Sequence, residues 1–112
     1  MAPRDWLDNP DLYGKSAKAT WRAAPTDKAE FAAYSAAYVQ HMFACHVEQT
    51  LRDDGTLVAD LAAGAGMNRR HISHILRGRQ TMSWAAALAI VHALGRIELL
   101  PAPSSVADLT PP

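Results

Sequence analysis

The sequence predicts an all-α fold, a small helical bundle, on three observations. Nearly half of its 112 residues are apolar (49%) and alanine is very frequent, and alanine loses no side-chain entropy on entering a helix. Apolar residues recur at three-to-four spacing in several segments, which is the period of one helix face. Each such segment begins at a capping residue such as Asp27, Asn68 or Ser83 and stops at a glycine, the punctuation of helices. The length is that of one domain with extended ends, divided into an N-terminal arm (1–26), a helical domain (27–100) and a flexible C-terminal tail (101–112).

In the arm, Pro3, Pro10, Gly14 and Pro25 interrupt the scattered anchors Trp6, Leu7, Leu12, Tyr13 and Trp21, so any helix there is short. Two tryptophans in so loose a segment imply that it packs on something, either the domain's own surface or a second subunit. A long helix then starts at Asp27, whose carboxylate caps while Glu30 sits in the capping-box position. It is expected to run to about Arg52. Phe31, Tyr34, Tyr38, Met42 and Cys45 form one expected buried face, widened by Val39, Phe43, Val47 and Leu51. Asp53-Asp54-Gly55 supplies the stop.

Next come a short helix over Leu57 to Ala63, a turn at Gly64-Ala65-Gly66, a second helix from Asn68 to Leu76, and Gly78 as its terminator. Ser83 caps a further helix with Trp84, Ala87, Leu88, Val91 and Leu94 as its expected inward face, ended by Gly95. Ile97-Glu98-Leu99-Leu100 is expected to fold back on the core. From Pro101 the composition is that of a disordered tail.

Formal net charge is zero, but its distribution is not even. Residues 1–60 hold six Lys or Arg and nine Asp or Glu, a balance of −3, whereas residues 61–112 hold five and two, a balance of +3. No acidic residue lies between Asp60 and Glu98, where Arg69, Arg70, Arg77, Arg79 and Arg96 all fall. A local positive field therefore survives the neutral total. With Ile72, Ile75 and Leu76 turned inward, Arg69, Arg70, Ser73 and, at the edge, His74 project outward from the second short helix. Arginine matches the acceptor pair on a guanine edge, and the first turn of such a helix enters the major groove deepest. Arg69, Arg70, Ser73 and His74 are the expected base-reading residues of double-stranded DNA. Asn68, His71, Arg77, Arg79, Gln80, Thr81 and Ser83 are the expected phosphate contacts.

Residues 56–95 resemble the lambda repressor and Cro type of helix-turn-helix, the XRE family. The likeness covers about a third of the chain: Leu61-Ala62 in the first motif helix, Gly66 in the turn, Ile72-Ser73 in the second helix, the Arg77-Gly78-Arg79 exit and the Ala93-Leu94-Gly95 ending. Val58, Ala65 and Leu76 depart from its pattern, standing where Gln, a bulkier apolar residue and Glu are frequent. The resemblance implies about five helices, operator DNA as partner, and a homodimer reading a near-palindrome as a transcriptional regulator, most simply a repressor.

Other chemistries find less support. His41 and Cys45, like His71 and His74, lie about one helical turn apart, but two ligands do not close a zinc site and no Cys-x-x-Cys completes one. No metal or cofactor is expected. Ser73 and His74 are adjacent and so diverge on a helix, and no glycine-rich nucleophile turn or phosphate loop is present, so no enzyme activity is expected. The single cysteine and the absence of a long apolar run favour a cytoplasmic protein, nucleoid-associated and away from the membrane. The alternative function is an antitoxin-like interaction module that binds a protein partner through residues 1–25, with DNA binding accessory.

Overall fold

In a computed structural model, which describes residues 1–95, four α-helices follow two 3-10 turns, Pro3–Trp6 and Pro10–Leu12. The helices are α1 (Lys28–Asp54), α2 (Val58–Ala65), α3 (Arg69–Leu76) and α4 (Trp84–Leu94). The all-α expectation holds among the described residues, but a fifth α-helix is not found there. Arg96, the Ile97-Glu98-Leu99-Leu100 segment and the tail from Pro101 lie outside them. No helix of the described residues is long and apolar enough to cross a membrane.

Local chemistry sets the helix ends. The Asp27 carboxylate accepts the Glu30 amide at 3.0 Å and opens α1, which runs two residues beyond the expected Arg52 before Gly55. The Asp60 side chain accepts the Leu57 amide at 3.3 Å at the start of α2. That helix continues through Gly64 and Ala65, so the expected turn contracts to Gly66, whose φ of +65° suits a residue without Cβ.

One core joins every element: Leu7 and Tyr13 from the arm, Phe43, Ala44, Val47 and Leu51 from α1, Leu61 and Ala62 from α2, Ile72, Ile75 and Leu76 from α3, and Ile90 and Val91 from α4. The arm is thus packed on the domain's own core. Trp6 is buried and Trp21 half-buried, so of the two packings left open by the sequence, that on the domain's own surface is found. The arm doubles back on itself: Asp8 N–H donates to the Thr20 carbonyl at 3.1 Å and Arg22 N–H to that of Trp6 at 2.9 Å.

Two expected faces are corrected as well. On α1, Phe31, Tyr38 and Val39 are about half exposed, while Ala37, His41 and Ala44 are buried. On α4, Trp84 and Leu88 face solvent, while Ala86, Ala87, Ile90 and Val91 are buried. The reason on α1 is the arm, which lies where small side chains allow its backbone close. A Cβ on Gly14 would sit 3.3 Å from that of Ala44 and would collide with the Leu76 carbonyl.

Candidate nucleic-acid interface

The surface builds up from the connection Gly66-Met67-Asn68. The Asn68 side-chain oxygen accepts the backbone N–H groups of Arg70 at 2.8 Å and His71 at 3.3 Å, two of the donors a helix start leaves unpaired. Asn68 is therefore the cap of α3, as expected from its place before the helix. From that start, Ile72, Ile75 and Leu76 anchor the helix in the core. Arg69, Arg70 and His71 are left exposed, with Ser73 and His74 half-buried beside them.

Asn68, Arg69, Arg70, Ser73, His74, Arg77 and Arg79 line one open concavity of about 590 Å³. A neighbouring one of about 350 Å³ shares Asn68, Arg70 and His74 with it and adds His71 and Gln80. Nine of the eleven residues singled out from the sequence thus share a continuous surface. Thr81 is exposed but lines neither hollow. Ser83 is drawn elsewhere: its hydroxyl accepts the Ala86 amide at 3.1 Å and caps α4.

The cations differ in what they are free to do. Arg77 donates to Glu48 of α1 at 2.8 Å, a pair with Glu48 largely sheltered and Arg77 40% exposed, so its charge is partly offset locally. Arg69, Arg70 and Arg79 form no ion pair among the described residues. Among the described residues no carboxylate lines either hollow. The concavity therefore presents three unpaired guanidinium groups and several neutral hydrogen-bonding groups, an arrangement suited to an anionic, hydrogen-bonding partner.

The sequence reading missed what holds this surface from behind. Gln40 of α1 accepts the Met82 amide at 2.9 Å, tying down the loop after α3. Arg4 N–H donates to the Gly78 carbonyl at 3.0 Å, and Gly78, at φ +73°, lies so near the Tyr13 ring that a Cβ there would fall within 2.8 Å of it. The partners lie tens of residues apart, and only the glycines signalled a close approach. Leu76, where the resemblance leads one to expect Glu, is buried beneath this arm contact.

His41 locks the arm to α1. Its Nδ1 accepts the Gly14 amide at 3.0 Å and its Nε2 donates to the Ser16 carbonyl at 2.9 Å, which defines a neutral tautomer with both nitrogens satisfied. Burial holds its pKa below the usual histidine value, with the Ser16 carbonyl acting in the opposite sense. Cys45 lies 3.6 Å from the same Nε2. Burial, and then the nearby Glu48 charge, push its thiol up, the direction that favours the protonated form, with Arg52 acting in the opposite sense. Tyr13 has a buried hydroxyl with no hydrogen-bond partner among the described residues, and burial raises its phenol above the ordinary range.

The chain matches no family model, no curated protein and no solved structure.

Proposed function

We propose that this protein is a sequence-specific regulator of transcription that binds double-stranded DNA through α3. The supporting observation is the shared surface on which Arg69, Arg70 and Arg79 stand unpaired around the capped start of an eight-residue helix, with no acid among them. In this reading Arg69 and Arg70, with Ser73 and His74, address base edges in the major groove. Arg79, assisted by Arg77, His71, Gln80, Thr81 and the cap at Asn68, holds phosphates and sets the register. Ser83 contributes only its place at the start of α4.

The likeness of residues 56–95 to the XRE helix-turn-helix supports the same reading. A single module of this size buries too little surface to be highly specific alone, so a homodimer on two half-sites about one helical turn apart follows, repressing by occupancy. The test is selection from randomised duplex DNA at near-physiological salt, with wild-type protein beside an Arg69→Ala, Arg70→Ala double variant. Enrichment of a two-fold-symmetric site by the wild type and its loss in the variant is the expected result. Equal weak binding by both proteins, without enrichment, overturns it. The antitoxin-like alternative places a protein partner on residues 1–25, and the burial of Trp6, Leu7 and Tyr13 in the chain's own core leaves less of that segment to offer one.

A further inference from the structure

Beside the loop that leaves α3, helix α1 and the start of α4 flank an apolar groove of about 320 Å³, walled by Val39, Phe43, Met82 and Ala87. Trp84 stands at its edge. It is 71% exposed, while Val39 and Leu88 are each 50% exposed. Val39 and Phe43 are one turn apart on α1, as are Trp84 and Leu88 on α4, so each pair forms a ridge on its helix. An apolar cavity of about 150 Å³ already admits benzene, so the groove has room for an indole ring.

We propose that a second copy of this chain covers the groove, Trp84 of each protomer entering the groove of the other about a two-fold axis. A two-fold interface must be self-complementary, and here the projecting side chain and the hollow that fits it lie on the same patch. Trp84, Val39 and Leu88 together offer on the order of 300 Å² of apolar surface, enough for the apolar centre of an interface burying about 800 Å² per partner. Among the described residues no charged side chain lines the groove, so two copies close without burying like charges there. Of the polar groups in the wall, the carbonyl oxygen of Gln40 already accepts the Met82 amide and the Ser83 hydroxyl that of Ala86. An unpartnered tryptophan at this exposure otherwise leaves a patch of the kind that marks an interaction site.

The inference supplies the surface for the dimer assumed in the DNA-binding reading, but its test needs no DNA. Sedimentation equilibrium of the full chain should show a dimer at about 0.1 mM, with Trp84→Glu and Val39→Glu monomeric and of unchanged helix content. Loss of a buried tryptophan at an interface centre should raise the dissociation constant at least about thirtyfold. Trp84→Ala, which adds no charge, should shift it in the same direction. A wild-type chain that is monomeric at that concentration overturns the proposal, since the groove is then covered from within the chain or by another protein. A dimer untouched by all three substitutions overturns it too, because the contact then lies elsewhere. If the substitutions break the dimer while no duplex is enriched by the wild type, the interface stands and the DNA reading falls.

Discussion

His41 shows how one buried residue fixes the chemistry around it. Its neutral ring accepts from Gly14 and donates to Ser16, and a second proton on Nδ1 would face the Gly14 N–H. The unfolded chain takes up that proton near pH 6.5, whereas burial delays it in the folded state. Between these two points the unfolded state binds more protons, so stability rises with pH there and falls as pH drops below about 6.5, levelling off under the folded pKa. Urea midpoints should accordingly be lower at about pH 5 than at about pH 7.5. His41→Gln should be less stable at the higher pH and show a smaller decline, and equal wild-type midpoints would refute the account. The arginines separate by what they touch. Arg69→Ala should cost about 1 to 3 kcal/mol at the cognate site and relax one base preference, and Arg79→Ala should weaken all sequences alike, as competition binding can measure. Because Glu48 neutralises Arg77, Glu48→Gln should raise non-specific affinity and steepen the salt dependence by up to about 0.9 in log–log slope.

Between elements, the decisive contact is that of the arm with the exit of α3. Tyr13, Gly14 and Arg4 meet Leu76 and Gly78 at distances that leave no room for an added methyl. Gly78→Ala would have to displace the Tyr13 ring and hold a positive φ, so it should lower stability by about 2 kcal/mol or more in thermal or urea unfolding. An unchanged melting temperature would mean that the arm rests on the loop without bracing it. Removing residues 1–25 should abolish cooperative unfolding, because Leu7 and Tyr13 are 1% exposed members of the one core cluster and their loss opens it. What was legible in the sequence follows the same division. The caps at Asp27, Asn68 and Ser83 and the stops at Gly55 and Gly95 are local and were read from neighbouring residues, while the stop of α2 was placed within the turn but two residues early. The outward set Arg69, Arg70, Ser73 and His74 on α3 needs only helical spacing, whereas Arg79 and Gln80 join it through the loop that follows. The arm's place was not legible, since His41 meets Gly14 across 27 residues and Met82 meets Gln40 across 42. Nor was the buried face of α1. In a helix so rich in alanine, the inward side carries Ala37 and Ala44 to admit the arm, while Phe31 and Val39 look apolar enough to be core and are not.

For the molecule as a whole, zero net charge and an anionic partner are compatible only if charge is segregated. The sequence segregates it by 3 units in each half, and the fold collects Arg69, Arg70, Arg77 and Arg79 on one surface. Of these, Arg69 and Arg70 are directed at bases in the proposed reading and Arg77 is shared with Glu48. Only one or two cations per protomer then neutralise phosphates outright, the remaining phosphate bonds coming from neutral groups that release no counterions. Each neutralised phosphate contributes about −0.9 to the slope of log affinity against log salt, so a dimer should show a slope of about −2 to −4. Non-specific binding, which depends on that term, should be weak, and discrimination should rest on the base-reading arginines. Titrating the selected duplex and an unrelated one from about 50 to 200 mM salt measures both quantities. A slope steeper than about −6 would mean that Lys15, Lys18 or Arg22 of the arm also reach the backbone. The arm would then belong to the DNA-binding surface as well as to the core that supports it.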